Sequence, residues 1–463
     1  MSMSTSAFRA VTLRRLPLAA LLSLAFAGAS QAQSLQDIYE MAKGYDAAYL
    51  GARSQYQANL AKADQGKAQL LPTVGLSAGA TRSERTQNPE ITGATPSNYS
   101  YTTQTAGLNA SQPLYRPANL AAYRQSQKGL EQAAATLNQA EQDLIVRVSQ
   151  AYFDVLTAQD SLTFVQAQKA AVAEQLASAK RNFEVGTATI TDTREAQARF
   201  DLVTALEIAA DNDLRVKSVA LELLVGKAGL KPQKLKTGSP MPAADAQSVD
   251  SWIAQSEQAH PAIQLARVGL DVAKLETEKA MAGHKPTVDL TLGYNAQKNI
   301  NGTSVSVIPT NNIYPAGASQ INIASAGITF NLPLFAGNAV QNRIRETTAL
   351  EEKARLDLEG AQRQVAQATR TAYLGLQSGL GQVKAYEAAE ASSQVALDAN
   401  KLGYQVGVRI NIDVLNSQSQ LYQTKRDLAK ARYDVLLGQL KLRQASGTLK
   451  AEDLQSINAL LQK

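Results

Sequence analysis

The chain repeats itself at long range. Phe183-Glu-Val-Gly-Thr-Ala-Thr-Ile-Thr191-Asp192 returns 221 residues later as Tyr404-Gln-Val-Gly-Val-Arg-Ile-Asn-Ile-Asp413. Val185-Gly186 falls on Val406-Gly407, Ile190 on Asn411 and Asp192 on Asp413. Further pairs keep the same order. Leu71-Pro72 answers His284-Lys-Pro286, Gln112-Pro113-Leu-Tyr115 answers Asn331-Leu-Pro333-Leu-Phe335, and Ser149-Gln-Ala-Tyr152 answers Arg370-Thr-Ala-Tyr373. A duplication over nearly the whole length confines the fold to two like units packed on each other. The copies around Gly186 and Gly407 each break two long proline-free runs, which reads as the tip of a helical hairpin. Two readings are open: the tips meet to form a gate, or each is an ordinary helical turn.

Within each unit the period of the hydrophobic pattern changes in the same sequence. Residues 34–70 are helix-like. Val74, Leu76, Ala78 and Ala80 then alternate with small polar residues, and Ala106, Leu108 and Ala110 do so again, the mark of strands. From Leu130 to Val185 there is no Gly and no Pro, and Leu130, Leu137, Leu144 and Ala151 recur every seven residues beside a second row, Val148, Val155 and Leu162. Two such rows suit a helix touching neighbours on two sides, and this run would span about 84 Å. The second unit repeats the order, with a helical stretch at 250–282, strands carrying Val288, Leu290, Leu292 and Tyr294 and then Ala326, Ile328, Phe330 and Leu332, and another long hairpin. The chain thus divides into residues 1–32, a first repeat at 33–230 (strands about 73–85 and 100–112, tip about 183–192), a linker at 231–250, a second repeat at 251–447 (strands about 287–298 and 320–332, tip about 404–413) and a C-terminal segment at 448–463.

Residues 1–32 have the form of a secretory signal peptide: Arg9, Arg14 and Arg15, an apolar run from Leu16 to Ala27, and small residues at Ser30-Gln-Ala32. That run is short of the ~20 residues needed to span a bilayer. Removing the three arginines lowers the formal charge from +6 to +3, and no basic block points to nucleic acid. Without cysteine the chain has no disulfide, no thiolate metal site and no acylated cysteine. Catalysis finds no support either. The two histidines, His260 and His284, lie far apart, and no nucleophile elbow, phosphate loop or zinc-protease motif is present. No cofactor or metal is expected.

Strands of about ten residues, apolar on one face, match transmembrane barrel strands. Four strands cannot close a barrel, which takes about eight, and an open edge in lipid leaves backbone groups unpaired. If these strands lie in a membrane, the chain must form a cyclic oligomer. The alternative is a periplasmic structural or adaptor coiled coil without a pore, its strands forming soluble hairpins.

The two tips, Gly283-His-Lys-Pro-Thr-Val-Asp-Leu290, the Pro-Leu-Tyr and Pro-Leu-Phe strand exits and Leu421-Tyr-Gln-Thr-Lys-Arg-Asp-Leu-Ala-Lys-Ala-Arg-Tyr433 together resemble TolC-type outer-membrane channels. The resemblance covers the chain beyond the signal peptide. It implies a mainly α fold with a membrane β-barrel: four strands per protomer, a twelve-stranded barrel in a homotrimer, a long periplasmic α-helical coiled-coil barrel, and an equatorial belt from the 229–250 region and the C-terminal segment. It implies an exit duct of a tripartite efflux pump or type I secretion system. The partners would be a periplasmic adaptor, an inner-membrane transporter of RND, ABC or MFS type, and outer-membrane lipid. Residue by residue, the family's gate falls on Thr191, Asp192, Tyr404 and Arg409. Of the family's two acidic pore residues the first falls on Asp413. The second is replaced by Asn416, which should weaken block by trivalent cations. Tyr115 and Phe335, where strands become helices, are expected at the membrane interface, or simply packed.

Overall fold

The computed structural model describes residues 32–87, 97–236, 241, 247–300 and 320–462. The segment read as a signal peptide, up to residue 31, and the loops at 88–96 and 301–319 lie outside them. The described elements are α1 (Leu35–Lys43), α2 (Ala47–Ala68), β1 (Thr73–Gln87), β2 (Ser97–Tyr115), α3 (Pro117–Glu184), α4 (Ile190–Val225), α5 (Val249–Ala259), α6 (Pro261–Met281), β3 (Thr287–Ile300), β4 (Gln320–Asn331), α7 (Ala339–Gln405), α8 (Asn411–Ala445) and α9 (Asp453–Asn458).

Local chemistry sets the boundaries that the broad pattern blurs. The helical stretch at 34–70 is two helices, because Asp46 caps α2 by accepting from the Tyr49 amide at 2.8 Å. Its carboxylate also receives both ends of the Arg147 fork, at 2.9 and 3.0 Å, and that guanidinium holds the Asp46 carboxyl below its usual range. The stretch at 250–282 breaks at His260-Pro261, where proline forces the preceding residue out of helical geometry. His260 Nδ1 accepts from the Ala262 amide, so this histidine is a cap. The first long helix starts earlier than its glycine-free run: Pro117 opens α3 at the position where a missing N–H matters least, and Gly129 lies inside it with open space around. At 68 residues α3 is about 100 Å long, and α7 has 67. No described helix is long and apolar enough to cross a membrane.

The four strands form one antiparallel sheet in the order β1-β2-β3-β4. β1 and β2 outrun their expected ends because the ladder stays in register from Thr73↔Ser111 to Gln87↔Ser97. Leu76, Leu108 and Tyr294 line up across three strands, as do Ala110, Leu292 and Ala326, and Leu290 with Ile328. That face is apolar yet exposed, Leu76 by 81% and Ile328 by 69%. The other face is lined by small polar residues such as Ser77, Asn109, Asn295 and Ser325, with the Asn295 amide lying directly over Gly107, where a Cβ would displace it. Ile321 and Ile323 break the alternation at the end of the sheet far from the helices.

The main core lies midway along the hairpins, where α1, α3, α4, α8 and α9 meet. Phe153 stacks on Tyr433 and meets Tyr152 edge-on, each at 5.7 Å. Tyr152 donates to the Gln233 carbonyl and Tyr433 to Asp160, both at 2.8 Å. Burial pushes both phenols up, and the Asp160 charge adds to the shift of Tyr433. The 231–236 segment is bound here, with Lys236 N donating to Leu460 O and Gln462 N to Lys234 O. Leu144, Val148 and Val155 of the seven-residue rows are buried in this core.

Candidate functional site at the paired helix tips

The duplicated tips have the same backbone, bond for bond. Val185 N donates to Arg181 O, Gly186 N to Phe183 O, and Thr187 N and Ala188 N both to Asn182 O. At the second tip Val406 N donates to Leu402 O, Gly407 N to Tyr404 O, and Val408 N and Arg409 N both to Gly403 O. Gly186 and Gly407 each take φ +78°, the left-handed conformation that lets the chain reverse after a helix end.

The side chains then diverge. In the first tip Thr189 caps α4: its hydroxyl accepts from the Asp192 amide at 3.3 Å, while Asp192 Oδ2 accepts from the Thr189 N–H at 3.0 Å and from its hydroxyl at 2.8 Å. The second tip has Ile410 at that position and makes no side-chain cap. Asp413, the counterpart of Asp192, instead faces Arg409 at 3.7 Å and is about one-third exposed. The stem of Arg409 lies over Gly403, where a Cβ would fall 2.7 Å from Arg409 Cγ.

Asn411, the first residue of α8, is fully buried. Its Oδ1 accepts from Gln175 of α3, and its Nδ2 donates to the Asp192 carbonyl at 3.3 Å. One side chain thereby joins the second tip to both helices of the first hairpin. A turn further on, Arg199 Nη2 of α4 donates to Asn416 Oδ1 of α8 at 2.7 Å. Between the tips opens a polar cleft of about 690 Å³ lined by Asp192, Tyr404, Gly407, Arg409 and Asn411 among others.

The structure therefore brings Asp192, Tyr404 and Arg409 around one cleft, with Thr191 exposed at the start of α4 beside it. Within the chain the Asp192 carboxylate is engaged by Thr189, and Tyr404 packs its ring on the cluster of Leu397, Val414 and Leu421. Tyr115, the last residue of β2, and Phe335, just past β4, are both exposed, Phe335 by 80%. Gln175, Asn411 and Arg199 were missed from the sequence. The signal for Asn411 was its alignment with Ile190: an amide replacing an aliphatic residue at a helix start. Nothing in the spacing marks Gln175 or Arg199, whose partners lie more than two hundred residues away. Among the described residues no cluster of His, Cys, Asp and Glu could hold a metal ion.

Residues 38–227 and 252–448 each match the model of the outer membrane efflux protein family. The chain is 33% identical to the outer membrane protein TolC of Vibrio cholerae, over 92% of this chain and 94% of that one. It is 29% identical to the proteases secretion protein PrtF of Dickeya chrysanthemi, over 94% and 92%. The fold is that of the outer membrane protein VceC from Vibrio cholerae, with a TM-score of 0.74 at 20% identity, over 89% of this chain and 96% of VceC. With the duplicated hairpins and the exposed sheet face, these similarities place the chain in the outer membrane efflux protein family, as an outer-membrane channel and not an enzyme.

Proposed function

We propose that three copies of this chain form a passive duct that carries substrates across the outer membrane, gated at the helix tips. The observation that carries this reading is the sheet: its apolar face is exposed, and among the described residues β1 and β4 have no further strand beside them. In a bilayer such edges must be paired, and twelve strands from three copies close a ring. The hairpins continue as a tube into the periplasm, with residues 229–236 and the C-terminal segment as a belt around it. Tyr115 and Phe335 sit at the membrane boundary. An adaptor and an inner-membrane transporter of RND, ABC or MFS type supply substrate and energy. The names of the relatives include both efflux and protease secretion, so that partner decides whether a small molecule or a polypeptide is moved.

Around the axis Arg409 reaches the Thr191–Asp192 start of a neighbouring hairpin, and Tyr404 closes the cleft beside it. An exposed pair of this type contributes about 1 kcal/mol or less. A handful of them hold the tips together yet yield to an adaptor. Asp413 supplies a ring of carboxylates at the mouth, which draws cations in.

Single-channel recording of the purified trimer in a planar bilayer tests this. A small, steady current that grows in the Tyr404→Phe/Arg409→Ser variant supports both duct and gate. Current unchanged by the substitutions leaves the duct and removes the gate. No channels from well-folded protein removes the proposal.

A further inference from the structure

We propose that Arg199 sets the charge selectivity of the mouth, offsetting the Asp413 carboxylates so that anionic as well as cationic solutes pass. The inference rests on the reading that the Asp413 face of α8 lines the mouth. Asp413 and Asn416 are three residues apart, hence about 4.5 Å along the helix and on one side of it. The opposite side of α8 is buried at Asn411, Val414, Leu415 and Gln418. On the exposed side the groups come in a fixed order: the Arg409 guanidinium, the Asp413 carboxylate 3.7 Å from it, and the Asn416 amide with the Arg199 guanidinium held at 2.7 Å. Each chain thus offers two cations and one carboxylate on this stretch.

An unpartnered asparagine would simply thin the negative charge. Asn416 does more, because its Oδ1 anchors a cation that comes from the other hairpin. Arg199 stands on the flank of α4 between the buried Ala196 and Val203, turned toward α8. The bond uses one arm of the guanidinium and leaves its full charge in place. At a mouth narrow enough to exclude bulk water, three such charges one turn inside the Asp413 ring oppose its pull on cations.

The arrangement predicts a graded set of substitutions. In Asn416→Asp the new carboxylate pairs with Arg199 and cancels its charge, so cation preference and block by hexamminecobalt(III) rise about as much as in Arg199→Gln. In Arg199→Gln the cation preference rises severalfold. In Arg199→Gln/Asn416→Asp the two changes act in the same direction and leave a second carboxylate level without Arg199 beside it, and block tightens by about tenfold over wild type, the scale of one added charge interaction near a protein surface.

The test is the reversal potential of purified trimers across a KCl gradient, together with hexamminecobalt(III) titration of the current. The set is wild type, these three variants, Asp413→Asn and Arg199→Lys. Arg199→Lys keeps the charge and is expected to keep the wild-type reversal potential, which separates charge from a merely structural contact. If Asp413→Asn lowers cation preference while Arg199→Gln leaves it unchanged, the inference is overturned and the placing of Asp413 at the mouth stands. If neither substitution shifts the potential, this face does not line the mouth and both fall. If Asn416→Asp alone gives the full tightening of block, Arg199 is not opposing it and the inference is overturned.

Discussion

The two tips are one turn built twice, and they differ in how they satisfy the helix that follows. The first is self-contained: Thr189 and Asp192 close a capping box on α4 and need nothing from elsewhere. The second replaces the threonine by Ile410 and leaves α8 without a side-chain cap. Its bonding goes outward instead, from Asn411 to Gln175 and the Asp192 carbonyl, and from Asn416 to Arg199. Duplication supplied identical backbones, and the divergence of three or four side chains made one tip a post and the other a latch. The gate proposed above would draw on that asymmetry, since two self-contained tips would have nothing to release.

The most severe way to break the comparison is to change together the two side chains of the second tip that are proposed to close it against a neighbouring hairpin. Tyr404→Phe/Arg409→Ser is expected to raise single-channel conductance severalfold. A double change at the corresponding positions of the first tip, Phe183→Tyr/Ala188→Ser, should leave it near wild type. Equal effects at both tips would show that any disturbance of the turn opens the duct, and the distinction between post and latch would fail.

Next in size is Asn411→Ala. It strands the Gln175 amide and the Asp192 carbonyl in a partly buried site, where an unmade hydrogen bond costs about 2 kcal/mol at most. Amide hydrogen exchange of the first turns of α8 should then speed up by as much as roughly thirtyfold if those amides exchange by local opening. Thr189→Ala removes the cap of α4 for about 1 kcal/mol, with the exchange gain confined to that helix start. Comparable protection of both tips in Asn411→Ala would mean that the amide is no latch.

The waist gives a third contrast, because there a cap made by a buried aspartate is reinforced by a half-exposed arginine. Arg147 lowers the Asp46 carboxyl below its ordinary range, so ionised Asp46 stabilises the fold. For a carboxyl lowered on folding, that stability is complete above the unfolded value of about 4 and is lost as pH falls through the lower folded value. Thermal melts of wild type and Asp46→Asn should therefore differ at pH 6 and converge in strong acid. A gap independent of pH would place the effect of Asp46 in its contact with the Tyr49 amide alone.

The duplication, the order of the elements and the alternating strands were legible because each is a local or periodic pattern. Gly186 and Gly407 were legible as turns because a left-handed residue after a long helix selects glycine. Helix breaks at Asp46 and His260 were missed since the apolar pattern runs through them, while a single cap or proline decides the geometry. The latch was not legible at all. Asn411 has no helical neighbour that explains it, and its partners Gln175 and Asp192 arrive only when two hairpins pack side by side. The same holds for Arg199, which looks like any solvated arginine until Asn416 is placed opposite it.

The finest test converts one tip into the other. Ile410→Thr restores at the second tip the hydroxyl that Thr189 provides at the first, three residues before an aspartate already in place. Asp413 should then fold back to accept from residue 410, as Asp192 does from Thr189, and turn away from Arg409 at its present 3.7 Å. The helix start gains a cap of about 1 kcal/mol or less. The mouth should lose part of its attraction for cations, seen as a small shift of the reversal potential toward anions, with the conductance of the closed state unchanged. A cap gained without any change in reversal potential would mean that Asp413 acts on its own helix alone. The divergence of the tips would then concern how they are held, with no part in what passes between them.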